Sequence, residues 1–159
     1  MDEGDILVQE SWEVSPSDTT GQLFEKTSMR AGPLLIDAIT GIQDKTITPE
    51  PQNAEEASYT QMIEKKDGEL QTSWTTDEAY HRWQAYTPWP GLYTDFSGTK
   101  VTLLEIEKKE NSGILGEWGI EGKLPAIQVA DGLLIIKKIH PAGKKPMTGE
   151  EFVRGYMSK

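Results

Sequence analysis

Hydrophobic and polar positions follow two different patterns along this chain. Between Leu23 and Ile42, apolar residues recur at spacings of three and four, which predicts an amphipathic helix with one apolar face. Gly32 and Pro33 interrupt that pattern, so we expect a kink or two abutting helices. Residues 5–14 are rich in side chains that favour extended structure. The first part of the chain is therefore predicted to be a strand followed by a helix.

The later part of the chain has short apolar runs separated by glycine and other turn residues. Two capping boxes, Thr75 with Glu78 and Thr148 with Glu151, predict a helix on each side of these runs. Short strands are predicted at residues 69–74, 92–96, 100–107, 114–118, 126–130 and 133–139. Several short strands punctuated by glycine are typical of a small barrel. We therefore predict an α+β fold, in which an OB-like small β-barrel carries capping helices.

Two prolines enclose a tryptophan, as Pro88-Trp89-Pro90, between a predicted helix and a predicted strand. Proline fixes φ and has no backbone N–H, so it ends the helix and stiffens the exit. Trp89 is then either a wedge buried under the barrel or a rigid platform for a ligand. Our first interpretation of the stretch is a structural corner.

Composition removes several classes of function. The chain has no cysteine, which excludes disulfides, thiol catalysis and Cys-ligated zinc, and which fits a cytoplasmic protein. Its two histidines, His81 and His140, lie far apart in sequence, so we expect no metal site. No run of about 18 apolar residues occurs, so we expect no membrane partner.

Charge divides the chain unevenly. Residues 1–64 hold 13 acidic and 3 basic residues, whereas residues 65–159 hold 13 of each. An acidic whole chain argues against non-specific nucleic-acid binding, but the basic residues of the second part gather late, which leaves a local polyanion site open. These late basic residues are Lys137, Lys138, His140, Lys144, Lys145, Arg154 and Lys159. Strand alternation would place Lys137 and Lys138 on opposite faces.

Several stretches together resemble the C-terminal part of methionyl-tRNA formyltransferases. They are Asp2-Glu3-Gly4-Asp5-Ile6-Leu7, Ala85-Tyr86-Thr87-Pro88-Trp89-Pro90-Gly91, His140-Pro141-Ala142-Gly143-Lys144-Lys145-Pro146-Met147 and Glu151-Phe152-Val153-Arg154-Gly155. The family pattern has Asn where this chain has Thr87, and Gln where it has His140. The resemblance covers nearly the whole chain.

The resemblance implies three segments: the strand-helix end of a Rossmann-like domain at residues 1–42, a linker at 43–66 and the OB-like barrel domain at 67–159. Members transfer a formyl group from 10-formyltetrahydrofolate to the amino group of initiator methionyl-tRNA. Of the family's catalytic Asn, His and Asp, only the Asp has a candidate here, Asp2. We therefore expect the chain to bind no cofactor and to be inactive alone.

The resemblance also implies a binding role, in which the barrel domain helps to hold initiator tRNA through Lys137, Lys144, Lys145 and Arg154. Residues 5–42 would pack against a Rossmann-like N-terminal half or against a second copy of the chain. Two alternatives stay open. One is the C-terminal part of a sugar N-formyltransferase, and the other is a non-catalytic binding or assembly module derived from a formyltransferase.

Overall fold

The computed structural model describes residues 3–158, in two units that divide between Met62 and Ile63. In the first unit, α1 (Thr20–Gln43) begins at Thr19, which exchanges capping hydrogen bonds with Gln22. The helix runs through Pro33 as one element, so of the two expectations the pair of abutting helices is wrong, whereas the kink stays a prediction. One proline removes a single i−4 hydrogen bond, and the turns on either side keep theirs.

The predicted strand at residues 5–14 is also wrong. Ile6 forms an isolated antiparallel bridge with Glu50, and no named strand occurs in the described part of this unit. A strand needs a neighbour for its backbone N–H and C=O groups, and sequence preference alone does not supply one. The segment is therefore an extended arm, which the Gln52 side-chain amide also holds by donating to the Gly4 carbonyl at 2.7 Å.

Helix α1 leaves an apolar face uncovered in this unit. Phe24, Leu35, Ile39 and Ile42 are 71%, 61%, 48% and 52% exposed, and they share one side of the helix. We call these four residues the α1 apolar face. The only buried residues of the helix are Ala38 and Gly41, so α1 buries little of its apolar surface within the described unit.

The second unit is an antiparallel sheet with helices packed on it. Its elements are α2 (Thr76–Tyr86), β1 (Leu92–Phe96), β2 (Thr99–Glu110), β3 (Trp118–Glu121), β4 (Leu124–Val129), β5 (Gly132–Pro141), β6 (Met147–Thr148) and α3 (Gly149–Phe152), which continues as a π-helical turn at Val153–Met157. The strand order is β1-β2-β5-β4-β3, and β6 pairs with the end of β5. This arrangement confirms the α+β class.

The long strands β2 and β5 carry the core of this unit. Fully buried apolar side chains include Val101 and Leu103 on β2, and Leu134, Ile136 and Ile139 on β5. Helix α2 packs on the same core. The indole N–H of its buried Trp83 donates to the Leu103 carbonyl of β2 at 3.1 Å. Phe152 of α3 is fully buried as well. The helices thus cap the sheet through apolar and aromatic side chains.

Two of the predicted strands of this unit are wrong. At residues 114–118 the chain turns at Gly116, whose φ is +77°, and β3 starts only at Trp118. Residues 69–74 form no named strand, and Glu69 makes an isolated parallel bridge to Tyr93. A positive φ favours glycine and interrupts a strand, so the apolar residues around Gly116 do not decide the local structure.

Gly149 lets α3 approach the sheet closely. A Cβ at Gly149 would lie 2.2 Å from the Ile136 carbonyl oxygen, whereas a Cβ at Gly155 in the same terminal segment would meet nothing within 4 Å. We therefore expect Gly149→Ala to lower the free energy of unfolding by about 1–3 kcal/mol, as overpacking does. The matched Gly155→Ala should change it by less than about 1 kcal/mol. Urea denaturation measures both, and equal effects would contradict the close approach.

Candidate nucleic-acid interface

The loop at residues 142–146 joins β5 to β6 and is shaped by its own backbone. The Lys144 N–H donates to the Pro141 carbonyl at 3.1 Å, and Gly143 has a φ of +74°. Glycine with positive φ at the third position is typical of a type II turn. His140 Nε2 donates to the Lys144 carbonyl at 2.8 Å, which holds the loop against the strand that precedes it.

The four predicted tRNA-binding residues fall into two groups. Lys144 and Lys145 are exposed, and neither forms an ion pair with a carboxylate of residues 3–158. Lys137 Nζ instead lies 2.5 Å from Glu107, whose hydrogen bond raises the pKa of Lys137 above its usual value. Arg154 lies 3.8 Å from a carboxylate oxygen of Glu150. The structure therefore leaves Lys144 and Lys145 as the cations of this set that lack a carboxylate partner.

The sequence interpretation missed Lys100, the second residue of β2, which lies beside the same loop. The Ala142 N–H donates to the Lys100 carbonyl at 2.9 Å. The ammonium of Lys100 lies 3.3 Å from the centre of the Tyr93 ring, a distance typical of a cation–π contact. Asp95 stands opposite Lys100 in the strand ladder, but its carboxylate accepts the Gly98 N–H at 2.9 Å. Only the register of β2 against β5 reveals that Lys100 belongs to this region.

Lys137 and Lys138 do not follow the simple alternation expected of a strand. Ile136 and Ile139 are both fully buried although they are three residues apart. The pairing of β2 with β5 shifts register beside them, opposite Glu105. A bulge of this kind leaves an extra residue between two inward positions. Both lysines consequently reach the surface, Lys138 exposed and Lys137 partly covered.

The Pro88-Trp89-Pro90 corner ends α2 and leads into β1. The Gly91 N–H donates to the Tyr86 carbonyl at 2.8 Å and closes the turn, in which Thr87–Pro88 and Trp89–Pro90 are cis peptide bonds. Trp89 is 54% exposed, so it is not a wedge buried under the sheet. Whether the exposed ring serves a ligand or only the corner stays a prediction.

Three other predictions, on Asp2, on a metal site and on a membrane partner, add no residue to this site. Asp2, the catalytic candidate, lies outside the described residues. Across residues 3–158 there is no group of three or more His, Asp or Glu side chains that could hold a metal ion. Among the described helices, none is both long and apolar enough to cross a membrane. The loop at residues 142–146, which we call the basic loop, and its neighbours are therefore the candidate interface.

Comparison with known proteins agrees with this fold. The family model for the formyl transferase C-terminal domain matches residues 62–157. The chain belongs to this family, which makes the second unit a formyltransferase-type C-terminal domain.

Relatives named methionyl-tRNA formyltransferase match over almost the whole chain. The protein of Natranaerobius thermophilus is 34% identical over 98% of this chain, and that of Clostridium tetani is 33% identical over 98%. The matches cover 52% and 51% of those two proteins, so the chain spans about half the length of the curated relatives it matches.

Solved structures of lower identity share the fold. HypX from Aquifex aeolicus, solved in complex with tetrahydrofolic acid, matches 99% of this chain and 28% of its own with a TM-score of 0.74 at 15% identity. An N-formyltransferase from Helicobacter canadensis matches 86% of this chain and 50% of its own, with a TM-score of 0.61 at 19% identity. These likenesses concern the fold alone.

The cap beyond the loop predicts a dependence of stability on pH. Glu151 accepts hydrogen bonds from the Thr148 N–H at 2.8 Å and from the Thr148 hydroxyl at 3.0 Å, and these lower the pKa of Glu151 below the ordinary value for a glutamate. The stabilisation is present above that ordinary pKa and is lost as pH falls through the lower folded-state pKa. Glu151→Gln keeps an acceptor but does not titrate. We expect the melting temperature of the variant to fall less between pH 6 and pH 3, and an equal fall would contradict the cap.

Proposed function

We propose that this chain is the tRNA-positioning C-terminal part of a methionyl-tRNA formyltransferase and that it is inactive as a transferase alone. Its partner would be initiator tRNA, bound weakly at physiological salt. Membership of the formyl transferase C-terminal domain family supports this, as do relatives named for methionyl-tRNA. The observation that supports phosphate binding is the exposed pair Lys144 and Lys145, which has no carboxylate partner within residues 3–158. Lysines that contact phosphates release the counterions held by a nucleic acid, and this release favours binding.

We further propose the three segments that the family resemblance implies: a Rossmann-like remnant at 1–42, a linker at 43–66 and an OB-like barrel at 67–159. For the barrel, the support is a contact between the two end strands of the sheet. The Trp118 indole N–H donates to the Asp95 carbonyl at 3.1 Å, and Phe96 packs edge-on against Trp118. For the linker, the support is the high exposure of Tyr59 and Met62.

The folate co-substrate, 10-formyltetrahydrofolate, would bind to the formyl-transfer half and not to this chain. A hollow of about 720 Å³ in the first unit is lined by Glu3, Glu50 and Glu56 among others. A folate carries carboxylates of its own, so these acidic side chains would disfavour it. Asp2 would then match the family's catalytic Asp without the Asn and His that complete the catalytic site. We also propose a cytoplasmic location, because the tRNA substrate would be there.

The two alternative functions that the sequence left open are less well supported. A sugar N-formyltransferase and a non-catalytic module would both explain the shared fold. The curated relatives that match almost the whole chain at 33–34% identity are named for methionyl-tRNA, however, and they favour the tRNA enzyme.

A titration of initiator tRNA against this chain at 50 mM and 200 mM salt tests the binding role. We expect affinity to fall steeply with salt, and we expect Lys144→Gln with Lys145→Gln to reduce the slope of log K against log salt by about 2, because each phosphate contact contributes about 0.9. Fluorescence anisotropy of labelled tRNA measures the slope. No binding by the wild-type chain at 50 mM salt would overturn the proposed role.

Lys108→Gln with Lys109→Gln is the matched control. These lysines stand opposite Leu134 and Leu133, near the start of β5, whereas the basic loop follows the end of that strand. Both also pair with carboxylates, Asp77 and Glu121. The control pair removes the same charge at about 20 Å along the strand. A control that lowers the slope as much as the loop variant would show that net charge, and not the loop, governs binding.

The α1 apolar face supports a second part of the proposal, that residues 5–42 pack against a Rossmann-like formyl-transfer half. An exposed row of four large apolar side chains on one side of a helix is typical of an interface. The relatives contain about as much chain again outside the matched region, and a half of that kind would be the partner.

Leu35→Glu with Ile39→Glu should abolish co-purification of this chain with a separately expressed formyl-transfer half. The matched control is Met29→Glu with Ile36→Glu, which changes two apolar residues that are 76% and 65% exposed and lie roughly a quarter turn around α1 from that face. A control that abolishes binding equally would contradict a localised face. Sedimentation of the chain alone tests whether a second copy covers the α1 apolar face instead. A dimer at tens of micromolar that is abolished by Leu35→Glu with Ile39→Glu would show that the second copy, and not the formyl-transfer half, packs there.

A further inference from the structure

We infer that Lys100 is a third phosphate-contacting lysine beside Lys144 and Lys145, and that the Tyr93 ring positions it. The inference rests on the proposed tRNA-binding function and adds two residues to that site. Lys100 lies more than 40 positions before the loop, and the chemistry that would recognise it is the phosphate backbone of an RNA.

The first step is proximity. Val101 pairs with Pro141, and the Ala142 N–H donates to the Lys100 carbonyl at 2.9 Å, so Lys100 extends the ladder directly into the basic loop. Lys144 follows Ala142 by two residues. The loop turns back at Gly143, and its Lys144 carbonyl is held by His140. Backbone hydrogen bonds therefore fix the base of the Lys100 side chain beside the base of the loop.

The second step is availability. Five of the lysine and arginine side chains of the second unit form ion pairs with carboxylates, whereas Lys100, Lys144 and Lys145 form none within residues 3–158. The acidic residue opposite Lys100 in the ladder is Asp95, whose carboxylate accepts the Gly98 N–H and is not among the ion pairs of residues 3–158. A lysine already paired with a carboxylate must break that pair to contact phosphate. Within the described part of the chain, Lys100 has no such pair to break.

The third step is orientation. Tyr93 and Thr102 are ladder partners on β1 and β2, and Lys100 lies two residues from Thr102 on the same side of β2. The ammonium of Lys100 lies 3.3 Å from the Tyr93 ring centre, and it keeps N–H groups free to donate because a cation–π contact uses none of them as a strong hydrogen bond. The ring thus restricts a flexible side chain before any ligand arrives, which lowers the entropy lost on binding.

The test uses the full chain with initiator tRNA and four variants: Lys100→Gln, Tyr93→Leu, Tyr93→Phe and Tyr93→Leu combined with Lys100→Gln. Removing one phosphate contact should lower the salt slope by about 0.9. The ratio of wild-type to Lys100→Gln affinity should therefore shrink about 3.5-fold between 50 mM and 200 mM salt. Tyr93→Phe keeps the ring and should bind as the wild type does, whereas Tyr93→Leu should weaken binding.

The double variant separates positioning from a general structural effect. If Tyr93 acts through Lys100, the double variant should bind no more weakly than Lys100→Gln alone, whereas independent effects would add. In the absence of RNA, the side-chain protons of Lys100 should shift upfield by NMR because they lie over the ring. That shift should persist in Tyr93→Phe and vanish in Tyr93→Leu, with the rest of the spectrum unchanged.

Each outcome decides between the two proposals. If Lys144→Gln with Lys145→Gln lowers the salt slope and Lys100→Gln does not, the inference about Lys100 is overturned and the proposed function stands. If the affinity losses of Tyr93→Leu and Lys100→Gln add fully, the positioning role of Tyr93 is overturned. If the wild-type chain shows no salt-dependent binding, the proposed function and this inference both fall.

Discussion

The pairing of β2 with β5 is the constraint on which the second unit depends. These are its two longest strands, and every other strand joins the sheet beside one of them or through β4. The side chains of Leu103 on β2 and Ile136 on β5 are buried in the core. The Trp83 indole of α2 donates to the Leu103 carbonyl, and Gly149 of α3 lies close to the Ile136 carbonyl. The same ladder ends at the basic loop. One register of two strands thus determines both the core and the position of the candidate interface.

Local signals predicted much of this unit because they act over a few residues. The capping boxes at Thr75 and Thr148 lie where helices α2 and α3 begin. In each box the threonine hydroxyl and the glutamate three positions later accept hydrogen bonds from each other's backbone N–H. The predicted strand at residues 5–14 failed because a strand needs a neighbour. The one at 114–118 failed because the backbone at Gly116 has a positive φ. A residue pattern indicates only a preference for extended structure, and whether a strand forms depends on a neighbouring strand to pair with.

The candidate site was predictable where adjacent residues define it. Lys144 and Lys145 follow Pro141 and Gly143 in one turn, so sequence alone groups them. Lys100 was missed because it comes close only through the register of β2 against β5, which pairs Val101 with Pro141. Ion pairs are also invisible in sequence, and Glu107 engages Lys137 only because both lie on the surface of the same pair of strands. Geometry that depends on register therefore has to come from the structure.

The basic loop is anchored at both ends by strand pairs, at Pro141 with Val101 and at Met147 with Ile139. The side chains between these anchors point into solvent and add little to the core. Their charge can change without moving either strand. Binding strength and fold stability can consequently evolve as separate traits in this domain, with substitutions in the loop tuning the affinity for a polyanion while the ladder beneath stays the same.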